Sequence, residues 1–144
     1  MKKTLLIALA ALMIPGVALA KGNPGHGKNG VPGTHGRSAP KVLYIFKGTL
    51  SGYSAYDSST STPGSITIVV GRANYHGRAL HGQTLTFPTG ATTRITLENG
   101  ATTITDGDRG IVKIRALKRI ASADLASTLQ ASPARQVLDQ GTAS

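Results

Sequence analysis

The chain has 144 residues, sixteen Lys and Arg against six Asp and Glu, a formal charge of +10, and neither cysteine nor tryptophan. Disulfide frameworks, thiolate metal sites and cysteine nucleophiles are excluded, so stability has to come from packing. The length suits one domain of ordinary size, and the basic balance favours acidic partners or surfaces.

Lys2 and Lys3 precede an uncharged apolar run from Leu5 to Ile14, then Pro15-Gly16 and the small-residue close Ala18-Leu19-Ala20. This is the three-part layout of a secretory signal peptide, too short to span a bilayer permanently. Cleavage at Ala20-Lys21 leaves a chain of net charge +8, from fourteen basic and six acidic residues. Lys21 stands where a lipid-anchored precursor needs cysteine, and no later segment is apolar enough to cross a membrane. The expected location is secreted, periplasmic or at the cell envelope.

Residues 21 to 40 are dominated by Gly and Pro, with Val31 their only large aliphatic side chain. Such a segment cannot bury enough surface to offset the entropy of ordering, which predicts a disordered basic leader. From Lys41 the pattern changes to period two and β-branched residues, the signature of strands. The first strand is expected over Val42–Leu50, apolar on both faces and therefore central. A turn-rich loop, Ser51–Gly64, leads to a second strand over Ser65–Val70. Gly71–Gly82 reads as a basic loop, and the third strand runs from Gln83 to Phe87, stopped by Pro88-Thr89-Gly90. A fourth covers Thr92–Glu98, with Ile95 and Leu97 inward and Arg94 and Thr96 outward. Asn99-Gly100 suits a two-residue hairpin turn, returning through Ala101–Ile104. A further strand, Ile111–Leu117, alternates Val112, Ile114 and Ala116 inward with Lys113 and Arg115 outward. Ser122 is placed to cap a short helix from Ala123 to about Gln130. Arg135–Asp139 reads as a last strand, with the domain spanning 41 to 139 and residues 140–144 fraying.

Short strands at turn-marked intervals predict an all-β fold: a small five- to six-stranded OB-like or SH3-like barrel with a short C-terminal helix. Four stretches strengthen that expectation: Phe46-Lys47-Gly48-Thr49-Leu50, Gly82-Gln83-Thr84-Leu85-Thr86-Phe87, Thr93-Arg94-Ile95 and Gly107-Asp108-Arg109-Gly110-Ile111-Val112-Lys113. Over Lys41 to Leu117 the chain resembles small exported bacterial β-barrel domains of unknown function, OB-like in shape. It departs from their Gly-Asp-x-Val-x-Val turn in having Gly110-Ile111 before the valine. The resemblance implies a fold and an exported life, and brings no catalytic residues with it.

The strongest functional signal is basic surface. Arg94, Lys113 and Arg115 are expected on one outer sheet face, and Arg72, Arg78, Lys118 and Arg119 in loops or at strand ends. OB-like barrels bind extended polymers across a strand face, with cations for the charges and aromatics for stacking. Here the cations are present, whereas Tyr44 and Phe46 look buried. The competing explanation is general: net positive charge keeps an exported protein soluble and weakly drawn to a negative wall. After export, anionic envelope polymers or acidic headgroups are more available partners than nucleic acid.

Other chemistry has weaker support. His76 and His81 lack the spacing and companions of a metal shell, and the third residue after cleavage is Asn23 rather than the His of an amino-terminal copper site. Asp106-Gly107-Asp108 lacks the later acidic ligand of a calcium loop and suits a turn. Ser54, Ser58 or Ser59 with His76 and Asp57 has no nucleophile elbow, and Glu98 is the only glutamate. The sequence therefore reads as a non-enzymatic module without cofactor or metal. Arg72, Arg78, Arg94, Lys113 and Arg115 are its candidate contacts to an anionic envelope polymer. The alternative is an assembly module working through protein–protein contacts at a strand edge or the terminal helix. Oligomeric state is not legible.

Overall fold

The computed structural model describes residues 38–98 and 100–142, so the signal segment and the leader up to residue 37 lie outside the described residues. Six strands follow in order: β1 (Lys41–Ser54), β2 (Gly64–Ala73), β3 (Thr84–Thr89), β4 (Arg94–Thr96), β5 (Arg109–Leu117) and β6 (Ala134–Asp139). A 3-10 turn, Arg78–Leu80, precedes β3, and another, Ser122–Asp124, runs into the helix α1 (Leu125–Gln130). All six strands join one sheet in the order β3-β2-β1-β5-β6-β4. The fold is thus mostly β.

The central place expected of the first strand is found, since β1 pairs with β5 on one side and β2 on the other, but only one of its faces is buried. Alternation sends Tyr44, Phe46 and Leu50 inward, where they meet Ile66, Ile68 and Val70 of β2 and Val112 and Ile114 of β5. Leu85 and Phe87 of β3, Val137 of β6 and Leu125 and Leu129 of α1 complete the core. The Phe46 and Phe87 rings stack with centroids 5.8 Å apart. Fully burying such a side chain contributes about 1.5–3 kcal/mol, which replaces what disulfides would supply.

Several boundaries differ from the sequence reading. β1 runs on to Ser54, and β2 to Ala73, so Arg72 is a strand residue. β3 continues through Pro88 and Thr89, because an edge strand tolerates proline. The expected return strand over Ala101–Ile104 does not form. Gly100 takes the positive φ of a turn, and Ala101 N–H donates to the Glu98 carbonyl. β4 then pairs in parallel with β6 instead of with the following residues. Ser122 does not cap α1, whose N-terminus has no side-chain cap. Just past β6, Gln140 N–H donates to the Arg109 carbonyl and Arg109 N–H to the Gly141 carbonyl.

The departure at Gly110 has a steric cause. A Cβ there would fall onto the Leu50 side chain and the Leu138 carbonyl, so the second position of β5 favours glycine.

Candidate functional site

The pairing of β6 decides which cations meet. It lies antiparallel to β5 and parallel to β4, so Arg94, Gln136, Lys113 and Ile45 form one row across four strands. In the neighbouring row Leu43 faces Arg115. A β-bulge shifts the register between Lys113 and Ile114, which pair with Gln136 and Ala134 and leave Arg135 as the extra residue. Bulges re-aim side chains, and this one turns Arg135 onto the surface already holding Lys113 and Arg115.

Leu43, Arg94, Lys113 and Arg115, with Lys41, Thr92 and the segment Ser132–Gln136, line a groove of about 910 Å³. Its lining carries five cations (Lys41, Arg94, Lys113, Arg115 and Arg135) and no carboxylate. Lys113 is half-buried and donates through Nζ to Gln136 Oε1 at 3.0 Å, while the other four are exposed. Leu43 and Pro133 add apolar surface. The wall bearing Thr92 and Arg94 is fixed by Thr93, whose Oγ1 donates to the Ala134 carbonyl at 2.6 Å and accepts from Gly90 N–H at 2.9 Å. Five like charges on one surface repel one another, and a bound polyanion relieves that repulsion.

Of the five sequence-predicted contacts, Arg94, Lys113 and Arg115 come together here. Arg72 and Arg78 do not line the groove. Arg72 faces Lys47 on β1, and the Arg78 guanidinium lies 4.7 Å from the centroid of the Tyr75 ring. Lys118 and Arg119 line a smaller hollow of about 260 Å³ with Ala39, Pro40 and Leu117. Lys41 and Arg135 are the lining cations that alternation alone misses. Lys41 belongs to a strand that starts one residue earlier than its apolar pattern, and Arg135 depends on a bulge that no residue type announces.

Elsewhere the polar groups serve the backbone. Asp106 Oδ1 accepts from Gly52 N–H at 2.8 Å, and Asp108 Oδ2 from Thr105 N–H at 3.0 Å. Asp57 accepts from the Ser59 and Thr60 hydroxyls within its own turn. Those hydrogen bonds, Ser59 first and then Thr60, lower its pKa to about 2. His76 packs against the Tyr44 and Tyr75 rings. Among the described residues no three His, Asp or Glu side chains converge as a metal shell would require. Among them, too, no helix is long and apolar enough to cross a membrane.

No protein-family model, curated protein or solved structure matches this chain.

Proposed function

We propose that this chain is an exported, non-catalytic module that holds anionic polymers of the cell envelope in the groove across β1, β5, β6 and β4. One observation carries the reading: the groove gathers five cations without a single carboxylate. Three of the five are arginines, whose planar forks suit phosphate and carboxylate oxygens through charge-assisted, bidentate hydrogen bonds. The signal-peptide layout of residues 1–20 supports export. In this reading the sheet is a small OB-like barrel whose margins, β3 and β4, are drawn together by the short Gly90–Thr93 turn. One-sided burial along β1, β2 and β5 supports that closure.

Assembly through a strand edge has less support. Thr86 N–H on the outer edge of β3 donates to Gln130 Oε1, and Pro88 offers no N–H at all. Both devices discourage an added strand.

A charge-matched pair of variants tests the proposal against general attraction. Replacing Arg94, Lys113 and Arg115 by Ser is expected to weaken binding to polyphosphate at least about tenfold. Replacing Lys47, Arg72 and Arg109 by Ser removes the same charge outside the groove and is expected to change it far less. Equal losses in the two variants would refute the groove and leave only net charge.

A further inference from the structure

Where one face of an antiparallel sheet meets water, its outward positions are ordinarily polar. On β2 and β3 they are: Ser65, Thr67, Thr84 and Thr86 lie outward around one exposed aliphatic residue, Val69. The rule breaks on β1, β5 and β6. Ile45, Ile111 and Leu138 are half-buried, each between two neighbours of the same strand that are buried on the inner face. None of the three belongs to the core or to the apolar residues packed against it, so their side chains lie on the outer face.

Register makes the three one stripe. Ile111 faces Leu138 directly, and Ile45, opposite Lys113, is the diagonal neighbour of Ile111. The stripe also adjoins the groove. Two residues along each strand, and hence on the same face, stand Leu43, Lys113 and Gln136, all of them groove lining. Half-buried Lys113 joins the two surfaces, since it stands opposite Ile45 while its ammonium donates to Gln136. Lys47, exposed and facing Ile111 from β1, puts a further cation on the far side. The aliphatic side chains call for an apolar partner and the cations beside them for an anionic one. A second copy of this chain would set the cationic face against itself. A phosphate carried on an acyl chain meets both demands.

We infer that the groove takes its anionic ligand by a lipid end. The phosphate headgroup of an acidic lipid meets Lys113 and Arg94, the cations of the row next to the stripe, and its acyl chain lies along Ile45, Ile111 and Leu138. This deepens the groove reading and rests on it.

The test uses the mature protein with hexyl, octyl and decyl phosphate, each below its micelle concentration, beside inorganic polyphosphate. Each methylene laid on the stripe is partly removed from water, so affinity is expected to rise about five- to fifteenfold from hexyl to decyl. Replacing Ile111 and Leu138 together by Thr is expected to flatten that series and leave polyphosphate binding within about twofold. Val69→Thr, which removes an exposed aliphatic residue away from the stripe, is expected to leave the series intact. A flat series in the wild type, or a full series in the double variant, overturns the lipid end while leaving the groove standing. Equal flattening by Val69→Thr overturns it in favour of diffuse apolar attraction. Dimerisation of the ligand-free protein that the double variant abolishes overturns it in favour of a second copy. A wild type that binds neither polyphosphate nor any alkyl phosphate overturns the groove reading itself.

Discussion

Lys113 and Gln136 face each other on β5 and β6, and the ammonium donates to the amide oxygen at 3.0 Å. A neutral acceptor fixes the lysine in place without cancelling its charge. Gln136→Glu changes one atom and adds a carboxylate to a lining that has none. The variant is expected to fold normally, to bind polyphosphate more weakly, and to lower the slope of log K against log salt by about one. Isothermal titration at several salt concentrations checks this, and an unchanged slope would mean that Lys113 makes no contact with the polymer.

The bond from Thr86 N–H to Gln130 Oε1, at 3.1 Å, ties α1 to the outer edge of β3. Gln130→Ala is expected to cost about 0.5–1.5 kcal/mol, a drop of several degrees in Tm for a domain of this size. It also uncovers an edge donor, so light scattering is expected to rise with protein concentration. A variant that melts earlier but stays monodisperse would show that Pro88 and the strand's short length suffice to protect the edge.

Gly110 supplies a steric test of the packing between β1, β5 and β6. In Gly110→Ala the new methyl must displace Leu50 or the Leu138 backbone, and overpacking of this kind costs about 1–3 kcal/mol. Chemical denaturation measures the loss. Full stability would contradict the close approach of Leu50 to the start of β5.

The Asp57 turn responds to acid in a defined direction. Its carboxyl is held at about 2 by the Ser59 and Thr60 hydroxyls, below the value for an unfolded chain. The contribution of this turn is therefore complete above about pH 4 and fades as the pH falls through about 2. An NMR titration of the Asp57 side chain is expected to show that midpoint, rising in Ser59→Ala. A midpoint near 4 in the wild type would show that the turn does not hold its carboxylate.

Much of the sheet is legible in the residues because alternation and burial coincide. Tyr44-Ile45-Phe46, Ile66-Thr67-Ile68 and Val112-Lys113-Ile114 each declare a strand and the face it buries, and the last also declares Lys113 and Arg115 as outward. What alternation cannot convey is which strands become neighbours. Asn99-Gly100 favours a hairpin locally, but the parallel partner of β4 is β6, some forty residues further along. That long-range choice brings Arg94 beside Gln136. The groove was therefore only partly readable: its outward cations are a local property, whereas Arg135 joins through a bulge and Lys41 through an extended strand end. Arg72 and Arg78 share their charge but lie elsewhere on the surface, since composition says nothing of position.

Salt titration of the mature protein against polyphosphate, beside the variant with Arg94, Lys113 and Arg115 replaced by Ser, tests the central claim most directly. The expected result is a linear fall of log K with log salt in the wild type and a slope shallower by about three in the variant. Binding that ignores salt, or slopes that coincide in the two proteins, would contradict a polyanion seated on these side chains.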